Sequence, residues 1–198
     1  MKFLKAFVAA AAAFTALGAQ AAHLSYSFTD GTPAGAYEAP SFTDGVNASV
    51  QNQSVANVYL RPEGLDDADS FLVVSKLEGA SGSATVDLGD ASSFSFVWGS
   101  PDTFNAIDIY SDGFGMVTYT GTQLGSQFGF FADGDNGDTG LFTIAGVDGA
   151  TIDHVVFRSN GVAFELAVAA PVPEPETYAM MLAGLAAMGF VARRRRAD

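Results

Sequence analysis

The chain has 198 residues, no cysteine and a formal net charge of −13. Between His23 and Glu174 the imbalance is sharper, with 20 acidic residues against Arg61, Lys76 and Arg158, a formal charge of −17. Such a surface repels phosphate backbones and anionic headgroups, which excludes nucleic-acid binding, and the missing cysteine excludes a thiol nucleophile or a lipid on an N-terminal Cys.

The N-terminus carries Lys2 and Lys5, an apolar run from Ala6 to Leu17, and Ala19-Gln20-Ala21. Charge, apolar stretch and a small-residue cleavage site in that order are a secretory signal peptide over residues 1–21, forming an apolar helix that signal peptidase removes. Cleavage after Ala21 or Ala22 leaves a chain starting near His23. The alternatives are an ordinary N-terminal helix or an uncleaved anchor. Neither ends naturally at Ala-x-Ala followed at once by strand-like sequence.

Residues 23–171 form one domain of about 150 residues, enough to bury a core. It is rich in Gly, Ser, Thr, Asp and aromatic residues, and no amphipathic helix is expected in it. Strands are predicted near Ser25–Phe28, Ser54–Tyr59, Ser70–Lys76, Ser83–Leu88, Ser93–Trp98, Phe104–Tyr110 and Gly115–Thr120. Further strands are predicted at Ser126–Phe131, Gly140–Ile144, Ile152–Arg158 and Val162–Val168. Asp112-Gly113, Asp133-Gly134 and Asn160-Gly161 punctuate them with residues that turns favour. Many short strands in a domain of this size predict an all-β fold, a two-sheet β-sandwich or jelly roll, with a barrel as the alternative. Phe28-Thr29-Asp30-Gly31 recurs as Phe42-Thr43-Asp44-Gly45, which is too little for a repeat architecture.

Asn47-Ala48-Ser49 and Asn52-Gln53-Ser54 match the short N-glycosylation pattern and mark a polar surface loop. Ser93 to Trp98 alternates cleanly, with Phe94, Phe96 and Trp98 on one face. Trp98 is therefore read as core, the alternative being an exposed platform for stacking a sugar. After it, Gly99 permits a turn, Pro101 fixes φ, and Asp102 and Asn105 are suited to bonding loop amides.

Trp98, Gly99, Ser100, Asp102 and Asn105 together resemble the WGSxDxxN motif of a group of exosortase-dependent surface proteins. Phe157-Arg158-Ser159 leading to Ala163-Phe164-Glu165 resembles that group's final strand, although Leu166-Ala167-Val168 stands where its members carry Asp-Asn. The resemblance runs from about Ala84 to Val168. It implies a β-sandwich surface protein without an established chemistry.

Catalytic constellations are sparse. There is no Gly-x-Ser-x-Gly elbow, and no histidine pair has metal-ligand spacing. His154 beside Asp153 is half of a triad at most, and a structural or surface role is the simpler reading. Glu165 lies among apolar residues; burial would raise its pKa, whereas an edge position would leave it facing water. No catalytic residue is assigned. Asp133, Asp135 and Asp138 alternate on a glycine-rich loop, a pattern suited to a hard cation such as Ca²⁺. Gly137 and Ile144 break the EF-hand pattern, so a solvated hairpin loop is the simpler reading and no other cofactor is expected.

The tail begins with Val172-Pro173-Glu174-Pro175, continues with an apolar run from Thr177 to Val191, and ends in Arg193, Arg194, Arg195 and Arg196 before Ala197-Asp198. As a helix the sixteen residues from Thr177 to Ala192 span roughly 24 Å, short of a ~30 Å hydrocarbon core unless arginine stems snorkel. The arginines hold that end in the cytoplasm as a stop-transfer signal, which leaves the body on the far side of the membrane. This arrangement over residues 172–198 resembles the PEP-CTERM sorting signal. The resemblance implies a transmembrane helix that exosortase recognises through Pro173, Glu174 and Pro175 and then removes.

The expected protein is thus exported across the inner membrane of a Gram-negative bacterium, anchored transiently, and passed to the cell surface or matrix. Its partners would be signal peptidase, exosortase, the membrane before processing, and exopolysaccharide. Two alternatives stand beside this non-catalytic reading: an enzyme acting on envelope polysaccharide through paired carboxylates, and a permanently anchored periplasmic β domain.

Overall fold

Apolar–polar alternation becomes paired strand along most of the body. The structure, a computed structural model, describes residues 23–170 except Glu78, Asp112, Phe131, Ala132 and Asp135. The signal segment (1–21), the sorting tail (172–198) and Asp135 of the acidic loop therefore lie outside the described residues. The strands are β1 (Leu24–Asp30), β2 (Tyr37–Glu38), β3 (Thr43–Val46), β4 (Ala48–Gln51), β5 (Phe71–Val74) and β6 (Gly82–Ala91). They continue with β7 (Ser93–Trp98), β8 (Asn105–Ser111), β9 (Gly115–Thr120), β10 (Gly140–Gly146), β11 (Ile152–Ser159) and β12 (Phe164–Ala169). A helix, α1 (Gly121–Phe128), separates β9 from β10.

The strands make two antiparallel sheets. The first runs β1-β10-β7-β12-β5-β4, with β2 pairing the far end of β12 beyond β5. The second runs β3-β6-β11-β8-β9. Phe96, Trp98, Phe142, Phe164 and Leu166 from the first sheet meet Val86, Ile107, Ile109, Val155 and Phe157 from the second in one core. Phe96 stands edge-on to Phe157 across the sheets, with ring centroids 5.0 Å apart. Each such side chain, fully removed from water, contributes about 1.5–3 kcal/mol. The expected face of Phe94, Phe96 and Trp98 is the one turned inward, with Phe94 at its partly buried end.

A second apolar cluster lies on the opposite face of the first sheet. Tyr37, Leu65, Phe71, Val73, Val97, Ala163 and Ala167 gather there, with Tyr59 and Leu141 packed against them. The segment between β4 and β5 thus covers that face. This explains why all four residues of β5 are buried and why the strand reads as continuous Phe-Leu-Val-Val without alternation.

Several predicted elements differ. Ser54–Tyr59 is a turn closed by Val55 and Tyr59, because that segment serves as cover and not as a ladder strand. Of the predicted strand Ser126–Phe131, Ser126 to Phe128 are the end of α1 and Phe131 lies outside the described residues, so the expectation of no helix is corrected. Helix propensity is poor in a sequence with Gly121 and Gly125, and capping compensates. Thr120 Oγ1 accepts from Gln123 N–H at 3.3 Å, and the Gln123 side chain accepts from Thr120 N–H at 2.9 Å. Gly129, at φ 83°, closes the helix with an N–H bond to Gly125 O. The fully buried Leu124 fixes the helix to the core.

Candidate functional site at the crossover between the sheets

The chain leaves the first sheet at Trp98 and enters the second at Asn105, so residues 99–104 form a crossover between the two sheets. Trp98 is fully buried, stacked on Phe164 at 4.7 Å with the ring planes 7° apart. Gly99 donates its N–H to Glu165 O at 2.9 Å. Its lack of a side chain follows from close approach and not from the turn dihedral expected from sequence. A Cβ there would lie 2.8 Å from Pro62 Cγ and 3.2 Å from Glu165 Cβ, and its φ is not in the left-handed region.

Asn105 is fully buried and clamps the crossover. In the amide orientation its neighbours satisfy, it donates to Ala163 O at 3.1 Å and Ser159 Oγ at 3.2 Å, and accepts from Asp102 N–H at 3.3 Å. Its own N–H donates to Asp102 O at 3.1 Å, closing the turn. Asp102 Oδ1 accepts from Thr103 N–H at 2.6 Å and Thr103 Oγ1 at 3.2 Å.

Glu165 is the group that sequence reasoning left open between a buried and an edge position. It sits on β12, an interior strand, paired with Val73 on one side. Because Phe164 and Leu166 take the core face, alternation turns Glu165 to the outer face, where the segment before β5 covers it. The result is a carboxyl with 1 % exposure. Ser100 Oγ donates to its Oε2 at 2.6 Å and Leu60 N–H to its Oε1 at 3.0 Å. Burial pushes Glu165 up to about 7, helped by the Asp102 charge and opposed by these two donors. Burial also raises Asp102, with the Asp133 charge adding to it and Thr103 opposing.

The acidic loop packs beside this crossover. Asp133 pairs with Asp102 as a β-bridge, and Gly134 N–H donates to Pro101 O at 3.0 Å. Asn136 Nδ2 donates to Arg61 O at 3.0 Å, and Thr139 Oγ1 accepts from Glu63 N–H at 3.2 Å. The loop is thereby tied to the covering segment. Asp138 lies in the short 3-10 turn Asn136–Asp138. Among the described residues, no three His, Cys, Asp or Glu side chains are grouped to hold a metal ion.

An open cleft of about 350 Å³ lies where these segments converge, walled by Val58, Tyr59, Ser100, Asp102, Asp133 and Glu165. No Lys or Arg lines it among the described residues. It can therefore accept a neutral or cationic group far better than an anion. The covering residues Leu60 and Pro62 were not legible as site residues, since a backbone N–H and a proline ring leave no motif.

His154 and Asp153 stand elsewhere, on β11 of the second sheet. His154 Nδ1 lies 2.9 Å from Asp153 Oδ2, and its ring stacks on Tyr110 at 4.2 Å.

Compared with known proteins, residues 171–196 match the family model of the PEP-CTERM protein-sorting motif. No curated protein and no solved structure matches the chain. The chain carries a PEP-CTERM protein-sorting motif at its C-terminal end, which implies an exported protein that is transiently membrane-anchored and processed by exosortase.

Proposed function

From the premise of a PEP-CTERM sorting motif, we propose a non-catalytic surface or matrix component of a Gram-negative envelope that associates with exopolysaccharide. The observation that carries this reading is the sorting motif at residues 171–196. The body supports it. Ser100 bonds Glu165, Glu165 also bonds the Leu60 backbone, and Asn105 bonds Ser159 Oγ and backbone groups, holding a sandwich together. The acidic surface keeps such a body off anionic lipid and compatible with a hydrated neutral polymer. The test is the intact mass of the protein recovered from the producing cell's surface fraction. Loss of both ends, with a C-terminus near Pro173–Pro175, is the expected result. Retention of the apolar run and the four arginines would instead make it a permanently anchored periplasmic domain. Retention on the producer's own polysaccharide is the second expected result, and none would remove the polymer from the proposal.

One observation favours a catalytic alternative. Glu165, raised to about 7, shares a cleft with Asp102 and Asp133, and a polysaccharide hydrolase needs carboxyls of unlike protonation. Hydrolysis of envelope polysaccharide by the wild-type protein, lost in Glu165→Gln, would replace the non-catalytic reading. No turnover by folded protein would retain it.

A further inference from the structure

Both ends of the body join it at one pole. β10 and β12 each run antiparallel to β7, so they point the same way, and β1 runs against β10. Leu24, at the start of β1, pairs with Gly146, at the end of β10. The start of β1 and the end of β12 therefore lie at the same end of the first sheet. The crossover, the acidic loop and the cleft lie at the opposite pole, after Trp98 and before Gly140.

The last residues of β12 are held differently from its middle. Phe164 to Leu166 pair with β5, and Leu166 and Ala167 pair with β7. Among the described residues, Val168 and Ala169 pair with β2 alone, opposite Glu38 and Tyr37, and Ala170 N–H donates to Ala36 O at 2.9 Å. β2 has partners of its own on its other side. Tyr37 N–H donates to Asp69 Oδ1 at 2.8 Å, and Tyr37 O accepts from Ser70 N–H at 3.4 Å. Tyr37 Oη donates to Pro33 O at 2.8 Å, and Ala39 N–H to Ser70 Oγ at 3.0 Å. β2 thus stays anchored when residues 168–170 leave it. Their departure leaves the pairing with β5 and β7 intact and gives up one partly buried apolar contact, that of Val168.

Reach makes that departure matter. Pro171 and Val172 separate Ala170 from the motif that begins at Pro173. Three residue steps span at most about 11 Å, no more than the width of one helix with its side chains. An enzyme wall one helix thick around Pro173 would therefore meet the folded body. The pole is also acidic, with Glu38, Asp90 and Asp148 exposed on or near it. The bases do not balance it: Lys76 follows the opposite end of β5, Arg158 is near the opposite end of β11, and Arg61 pairs with Asp67 at 2.6 Å. Repulsion from anionic headgroups holds such a pole back from the membrane, so the tail has to lengthen. Freeing residues 168–170 doubles the reach to about 22 Å.

We propose that Val168–Ala170 are a releasable extension of the sorting tail, which peels from β2 so that exosortase reaches Pro173–Pro175. β2 takes the three residues back once the tail is gone. The proposal rests on the processing that the sorting motif implies. Cleavage through a locally opened state follows the population of that state where opening is fast, so the hold of β2 on β12 sets the rate of release.

The experiment follows loss of the tail from the full chain in the producing cell, by intact mass at intervals after a pulse of synthesis. Ala36 and Ala170 form a hydrogen-bonded pair, and the Cα atoms of such pairs lie about 5.5 Å apart, within disulfide range. Ala36→Cys combined with Ala170→Cys should therefore lock the end of β12 outside the cytoplasm, in a chain with no other cysteine. Tail loss should slow about tenfold or more in the oxidised double variant and return to the wild-type rate with dithiothreitol. Each single substitution should leave the rate unchanged. Gly-Ser-Gly inserted after Ala170 should restore the rate in the locked protein, because it supplies the three residues that the lock withholds. A locked protein that loses its tail at the wild-type rate, or one that the insertion does not rescue, overturns the proposal. A wild type that keeps its tail overturns the processing reading itself, and the release of β12 with it.

Discussion

Ser100 Oγ donates a 2.6 Å hydrogen bond to Glu165 Oε2, joining the crossover to a strand 65 residues further along the chain. Both side chains are buried, and this bond is the first of the hydrogen bonds that moderate an otherwise costly carboxyl. Ser100→Ala should therefore destabilise the protein by about 1–3 kcal/mol, the cost of an acceptor left short of a partner. It should also move Glu165 further above 7. Urea unfolding gives the first result and a carboxyl NMR titration of Glu165 the second; an unmoved titration would mean that the bond does not bear on that charge.

The titration of Glu165 sets a stability slope of definite sign. The ordinary value is 4.5 and the folded value about 7, so between them the native state holds a proton that the unfolded chain has lost. This stabilisation is complete below 4.5 and is lost as pH rises through about 7, a change on the order of 3 kcal/mol. Glu165→Gln mimics the protonated form beside Ser100, Leu60, Asp102 and Asp133. Subtracting its pH–stability curve from that of the wild type should leave a decline between pH 4.5 and 7.5. A flat difference would show that Glu165 titrates normally.

Legibility in the sequence followed how each segment is covered. Alternation identified β6, β11 and the start of β7, where one face is core and the other is at least partly open to water, and β8 was read as a strand although nearly all of it is buried. β3 and β4 escaped notice because Thr43–Val46 and Ala48–Gln51 are exposed edges with no buried stripe to pattern them. α1 carried only the Thr120…Gln123 capping signal in a glycine-bearing octet. The Trp98–Asn105 stretch was legible as a turn. The partner that fixes it was not, since Pro62 and Leu60 arrive from a covering segment that alternation does not describe.

Gly99 offers a test of that cover. Alanine there would press on Pro62 Cγ and Glu165 Cβ, at 2.8 and 3.2 Å from the new carbon, which costs about 1–3 kcal/mol. If the contact with Pro62 is the cause, Pro62→Ala should recover part of the loss. A double-mutant cycle should give a coupling of about 0.5–3 kcal/mol. Additive single effects would place the strain in the backbone instead.

The second sheet supplies the opposite pH response. Arg158 grips Asp108 through Nε at 2.5 Å and a second guanidinium nitrogen at 2.8 Å, and Thr118 Oγ1 adds a bond at 2.7 Å. Burial alone would raise Asp108, but the bonds from Arg158 and Thr118 and the Arg158 charge hold it below its ordinary 3.8. Its contribution is therefore complete above 3.8 and lost as pH falls through the lower folded value. Lysine cannot reproduce the two-point grip. Because Arg158 is 45 % exposed, water screens the pair, and Arg158→Lys should cost only about 1 kcal/mol at neutral pH. The sharper readout is acid unfolding. Its midpoint should move to higher pH in the variant, and an unchanged midpoint would mean that the Asp108 charge is held by Thr118 alone.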